Sequence, residues 1–172
     1  VFPLQHRKHL YFDPEQRGVI ARVSEHFEKT NSVSIRLARK NDLDEVYALL
    51  RECGLPWEGF SDHLATALVL VANDKIVGSA ALESYHDGVL LRSVCVSLAF
   101  RGQGLGRRIV RRILALSGNR PCFLLTTTAP KYFEKYGFHI ISRDEASPGV
   151  RQSIEFKSIC PEDAVAMLRP AD

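Results

Sequence analysis

Eight residues, "RGQGLGRR" from Arg101 to Arg108, concentrate groups able to do chemistry. Gly102, Gly104 and Gly106 alternate with larger residues, and arginines stand at both ends. Glycine lets a backbone N–H approach an oxygen-rich ligand with no Cβ in the way. A helix beginning there adds unpaired amides and the positive end of its dipole. Arg101 and Arg107 can add charge-assisted hydrogen bonds. Together these groups suit a diphosphate. The run is not a Walker loop, which needs GxxxxGK[ST]. It also departs from the dinucleotide fingerprint: its spacing is GxGxG, the strands before it read as antiparallel, and no acidic residue follows at the required distance.

The charge distribution agrees with a local anion site. The chain has 172 residues and a formal net charge of +3. Between Asp87 and Glu134 there is no acidic residue, while Arg92, Arg101, Arg107, Arg108, Arg111, Arg112, Arg120 and Lys131 all fall there. The remainder carries fifteen basic and twenty acidic residues and is net negative. That unevenness fits one anionic ligand better than a nucleic-acid surface.

Arg92 poses a separate question, because it lies in the apolar strand "VLLRSV". A charge there is costly without a partner. Either Glu83 on the preceding strand or the acid group of a ligand would relieve it. The four cysteines (Cys53, Cys95, Cys122 and Cys160) form no CxxC pair. They read as free thiols, not as a zinc site or disulfide framework, which suits a cytoplasmic setting. No metal is expected. No apolar run reaches the length of a membrane span, and the start lacks the order of a secretory signal.

The elements that must position these groups follow from periodicity. Residues 1–31 read as an extension. Its one amphipathic helix starts at Asp13-Pro14 with a D-x-x-Q capping box and carries Val19, Ile20, Val23 and Phe27 on one face. From residue 32 to 172 a single α+β domain is expected. "SVSIRLAR" alternates as a strand, and Asn41 caps a helix carrying Leu43, Val46, Tyr47 and Leu50 that ends at Gly54. "LPWEGFSDHLAT" is a short helix or loop. Three antiparallel strands follow: "ALVLVAN", "KIVGSAALESYH" and, after the Asp87-Gly88 turn, "VLLRSVCVS". A helix over Leu105–Leu116 presents Leu105, Ile109, Ile113 and Leu116 to a core and its arginines to solvent. "PCFLLTTT" and "FHIIS" are strands on either side of the short helix in "KYFEKYGF". "SIEFKSI" reads as a last strand and "PEDAVAML" as a terminal helix.

At "VCVSLAFRGQGLG" the sequence resembles the coenzyme A motif of the GNAT N-acetyltransferases, [RQ]-x-x-G-x-[GA] after a V-x-V strand, with Arg101, Gly104 and Gly106 in the loop positions. "APKYFEKYGF" is similar to a later motif of the same superfamily. "LLRECGLP", "ALESYHDGVLLRSVCVS", "LLTTTA" and "FKSICPEDAVAM" resemble the arsenic-resistance N-acetyltransferase group, and "LTTTAPKYFEKYGF" the acetyltransferase domain of N-acetylglutamate synthases. The resemblance implies a mixed, mostly antiparallel sheet flanked by helices, with coenzyme A in the cleft after the fourth strand. It implies acetyl-CoA as donor and a small amine as acceptor, amino-acid-like or a toxic, arsenical analogue.

On that resemblance Val94, Cys95 and Val96 pair with the pantetheine arm. Gly102, Gln103, Gly104, Leu105 and Gly106 hold the pyrophosphate through their amides, Arg101 and Arg107 reach phosphates, and Thr126 and Phe133 border the cofactor. The Val96 amide is placed to steady the oxyanion. Relatives carry a glutamate near Leu90 and a thiolate-protonating tyrosine at the position of Phe133; both are missing. Glu83, acting through water, is then the expected base, with His63 and His86 behind it, and Tyr132 or Tyr136 the proton donor. Arg92, Trp57, Phe60 and His63 form the expected acceptor wall. The rival readings are acetylation of a protein amine, and an acetyl-CoA-binding module without turnover. A monomer is expected, or a homodimer through the N-terminal helix, with no nucleic-acid or membrane partner.

Overall fold

The computed structural model describes residues 32–171. The expected N-terminal helix, and any role in pairing, lie outside them. Seven strands form one sheet in the order β1-β2-β3-β4-β5-β7-β6. In chain order these are β1 (Ser34–Leu37), helix α1 (Leu43–Glu52), β2 (Ala67–Ala72), β3 (Lys75–Tyr85) and β4 (Gly88–Val96), then α2 (Leu105–Ser117), β5 (Cys122–Thr126), α3 (Pro130–Glu134), β6 (His139–Ile141) and β7 (Val165–Arg169). Neighbours pair antiparallel except β4 and β5, which run parallel.

Period-2 alternation divides the core between two faces. On one, Leu68, Leu70, Leu82, Val89 and Leu91 pack against Ile109, Val110 and Ile113 of α2. On the other, Ala67, Val69 and Ala81 meet Val46, Leu49 and Leu50 of α1, together with Phe60. The start of α1 departs from expectation. A 3₁₀ turn, Lys40–Asp42, precedes it, and Asp42 rather than Asn41 stands at the N-cap position of α1; its carboxylate accepts the Arg39 amide at 2.6 Å, which caps the 3₁₀ turn, and pairs with Arg36. In α2 the buried stripe passes from Ile113 to Ser117, whose hydroxyl bonds the Leu114 carbonyl, so Leu116 stays exposed instead of joining the core.

The end of the chain reverses expectation. "SIEFKSI" supplies no strand; Glu155–Ile159 is a π-helical turn. The terminal helix expected in "PEDAVAML" is absent, because Val165–Arg169 is extended as β7. The reason is tertiary: β7 fills the slot between β5 and β6 and bonds to both, which outweighs the helix preference of Ala, Met and Leu.

Candidate active site

Two irregularities open the sheet. Opposite Ser79 and Ala81 of β3 stand Cys95 and Arg92 of β4, so β4 carries one extra residue there. The bulge centres on Ser93, whose φ of 54° is unfavourable for a residue with a side chain. The Ser79 hydroxyl holds it by donating to the Ser93 carbonyl at 2.8 Å. Beyond the bulge β4 loses its other neighbour, since β4 and β5 pair only at Val89–Cys122 and Leu90–Phe123. The strands then diverge, leaving main-chain groups of β4 without a ladder partner on that side. Ser97 donates to Val77 at 2.9 Å, so by antiparallel alternation the Val96 N–H and C=O point the other way, into the gap. The Val96 carbonyl does accept from the cleft side, from Arg101 Nε at 2.9 Å.

The gap leads to a cleft of about 530 Å³ lined by Cys53, Val94, Cys95, Val96, the Arg101–Arg107 loop and Tyr132. At its mouth α2 starts at Gly104, which adopts φ +76° and leaves open space where a Cβ would stand. The first bond of α2 runs from the Arg108 amide to the Gly104 carbonyl at 3.1 Å. The amides of Leu105, Gly106 and Arg107 therefore precede any intrahelical partner. Four residues, Leu55, Val94, Thr128 and Ala129, line both this cleft and a smaller cavity of about 210 Å³ bordered by Leu91–Val94 of β4 and Leu124–Thr126 of β5. The smaller cavity's charged lining residues are Arg92 and Glu155, beside Thr126, Thr127 and Cys160.

Residues 64–140 match the acetyltransferase (GNAT) domain family. Among solved structures, the chain is similar to N-acetylglutamate synthase from Neisseria gonorrhoeae complexed with coenzyme A and N-acetyl-glutamate. That match has 24% identity and a TM-score of 0.69, and covers 83% of this chain and 36% of that one. The chain thus spans about a third of the synthase's length. It is also similar to Rv2747 from Mycobacterium tuberculosis, solved in complex with CoA and NLQ (23% identity, TM-score 0.62, 81% of this chain and 99% of that one). A third likeness is to Arabidopsis thaliana Naa50 in complex with the bisubstrate analogue CoA-Ac-MVNAL (21% identity, TM-score 0.61, 80% and 98%). The fold is the GNAT fold.

Within this GNAT sheet, most residues singled out for the cofactor gather at the larger cleft: Val94, Cys95, Val96, Arg101, Gly102, Gly104, Leu105, Gly106 and Arg107. Gln103 is exposed on the loop and does not line it. Thr126 and Phe133 lie instead in the smaller cavity. Thr126 Oγ1 accepts the Ala129 amide at 3.1 Å, which shapes the turn into α3. Tyr132 reaches the larger cleft with its hydroxyl beside Gly106, and Tyr136 donates to it at 3.1 Å. Burial pushes the Tyr132 phenol up, so it keeps its proton.

Cys53, which sequence reasoning left without a role, lies at the end of α1 and lines the same cleft. Glu52 fixes that end by accepting from the Ser97 hydroxyl at 2.9 Å. A hydrogen bond from the Cys95 thiol, helped by Arg101, outweighs burial and pulls the Cys53 thiol down to about 6.

The acceptor wall expected from the sequence is only partly assembled. Phe60 is fully buried in the α1-side core, because it fills the space between α1 and β2. Trp57 is half-exposed and packs on Tyr47 at 5.2 Å, with Arg51 over its ring. Neither lines the larger cleft or the smaller cavity. His86 stands exposed on the β3–β4 turn beside Asp87.

His63, Glu83 and Arg92 do come together. The Arg92 side chain is completely buried; Nη1 bonds Glu83, Nε lies 3.0 Å from Glu155, and Nη2 donates to the Glu58 carbonyl at 2.6 Å. Of the two partners open to Arg92 in the sequence, Glu83 is bonded to it in the structure. Gly59, at φ +74°, lets that turn approach, since a Cβ there would meet Nη1 at 3.3 Å. Glu83 also accepts from the Tyr85 hydroxyl at 2.6 Å and faces His63 Nε2 at 3.3 Å. Burial alone would raise the Glu83 carboxyl, but the His63 and Tyr85 hydrogen bonds and the Arg92 charge hold it near 2.

Glu155, the second carboxylate on Arg92, was missed. In "SIEFKSIC" a lone glutamate between Ile154 and Phe156 was the signal available, in a segment that read as a strand.

Proposed function

We propose that this domain transfers an acetyl group from acetyl-CoA to the amine of a small, amino-acid-like acceptor. The observation that carries this reading is that two cavities share Leu55, Val94, Thr128 and Ala129 beside the point where β4 and β5 cease to pair, with main-chain donors lining one and Arg92 and Glu155 lining the other. The diphosphate sits on the amides of Leu105, Gly106 and Arg107, beside Arg101 and Arg107. Reaching it requires Arg101 to exchange its bond to Val96 for a phosphate. That exchange frees the Val96 carbonyl for the pantetheine amide, which lies along Val94–Val96 as an added strand. The Val96 N–H, directed into the gap, meets the developing oxyanion, and Tyr132 returns a proton to the leaving sulfur.

The acceptor reading rests on size and on Arg92. A cavity of about 210 Å³ suits a compact molecule better than an extended chain. Arg92 lines this cavity. Its guanidinium has five N–H groups; those donated to Glu83, Ser93 and Glu58 leave two more, which would meet an acceptor carboxylate. The relatives solved with N-acetyl-glutamate and with NLQ support such a class.

The test is thiol release from acetyl-CoA with the purified protein, across amino acids, arsenical amino-acid analogues and short peptides. Release with one or more amino acids or their analogues supports the reading. Release with peptides alone moves the acceptor to a protein amine. Coenzyme A binding without release across the whole panel leaves a binding module.

A further inference from the structure

Glu155 lies beyond residues 64–140, the part of the chain that matches the family. It opens the turn Glu155–Ile159, which folds over the α1 side of β3 and β4, and its side chain is 7% exposed. It lines the smaller cavity. Oε1 faces Arg92 Nε at 3.0 Å, and the Cys160 thiol donates to Oε2 at 3.9 Å. Glu83 from β3 stands on the far side of the same guanidinium, and His63, from the 3₁₀ segment Phe60–Thr66, is bound to Glu83.

The two carboxylates therefore share one cation on unequal terms. Glu83 has Arg92, His63 and Tyr85, whereas Glu155 has its share of Arg92 and a weak thiol donor. Burial lifts the Glu155 carboxyl to about 7; Arg92 opposes the rise and Glu83 adds to it. Glu83 is spent on structure and lines neither cavity, while Glu155 faces the acceptor space.

We propose that Glu155 is the base that deprotonates the acceptor's ammonium, an inference that rests on the acetyl-transfer reading above. The ammonium N–H bond breaks and its proton passes to the Glu155 carboxylate. The freed lone pair forms the C–N bond at the thioester carbon. The C–S bond then breaks with its electron pair on sulfur, and the second proton of the nitrogen passes through the Tyr132 hydroxyl to give the free thiol. Glu155 returns its proton to water. Glu83 is on this account a positioning residue that fixes Arg92.

The experiment compares wild type, Glu155→Gln and Glu155→Asp, with an equimolar mixture of the proteinogenic amino acids as acceptor. It follows kcat/KM for thiol release against pH, and coenzyme A affinity by calorimetry. The wild-type rate should fall as pH drops through about 7. Glu155→Gln should lose about 10²–10⁴-fold in rate and lose that limb, with coenzyme A affinity unchanged. Glu155→Asp should retain the limb at an intermediate rate, which a merely structural role would not produce. A Glu155→Gln enzyme within a few-fold of wild type and showing the same limb overturns this inference alone. A wild type that releases no thiol with this mixture or with the arsenical amino-acid analogues overturns the acetyl-transfer reading and this inference with it.

Discussion

The two cavities that meet at the β4–β5 gap are built from different materials. The larger is made of main chain: strand groups turned away from β3, a glycine loop, and the first amides of α2. The smaller is defined by side chains, with a buried arginine between two carboxylates contributed by β3 and by a late turn. Main-chain sites are specified by local sequence, because glycine spacing and the start of a helix suffice to expose the amides. A buried ionic cluster needs several distant segments to arrive together, and each charge is tolerable only because the others are there. The first kind of site tolerates changes that preserve the backbone. The second couples chemistry to folding.

That contrast can be broken most forcefully at Arg92. Arg92→Met leaves Glu83 buried without its cation and should cost about 3–5 kcal/mol, lowering the thermal midpoint by about 6–20 °C. Coenzyme A affinity of the folded fraction should change by no more than a few-fold. Equal losses in both would mean that the two regions are not separable.

Gly104→Val should do the converse. The space beside Gly104 is open, so the fold bears only the strain of φ +76°, about 1–2 kcal/mol or a thermal shift of about 2–8 °C. The isopropyl group would occupy the diphosphate's place, and coenzyme A should bind roughly 100-fold more weakly, a loss of about 2.7 kcal/mol.

Acid and alkali should act on the smaller cavity in opposite senses. Glu83 is held near 2, below its ordinary 4.5, so its contribution is present above pH 4.5 and is lost as pH falls toward 2. Glu155 is raised to about 7; its contribution is complete below pH 4.5 and is lost as pH rises through 7. Urea titrations from pH 2.5 to 8.5 should show Glu83→Gln flattening the acid side and Glu155→Gln flattening the neutral side.

The mildest probe is alkylation of Cys53. Its rate with iodoacetamide should titrate with a midpoint of about 6. Saturating acetyl-CoA should slow it, while the buried Cys122, pushed up to about 12, stays unmodified.

How much of the molecule could be read from its sequence follows the same division. The strand, helix and meander through Val96, the glycine turn and α2 were legible because each is set by short-range periodicity. Phe60 misled because an aromatic residue in an irregular segment carries no sign of which side it packs on; it went to the core. "PEDAVAML" misled because helix-forming residues were drawn into a vacant sheet slot by β5 and β6. Glu155 was hidden for the same reason, since its role depends on a turn folding back onto Arg92, 63 positions earlier in the chain. The bulge at Ser93, which lines the smaller cavity, had no sequence mark at all: nothing about a serine announces φ 54°.

The most direct test of the central claim is an amide-resolved NMR titration of the isotope-labelled protein with coenzyme A. The account predicts saturable shifts concentrated at the amides of Val96, Leu105, Gly106 and Arg107, with Glu83 and Glu155 little changed. Binding that moves other amides and leaves those four where they were, or no binding at all, would contradict it.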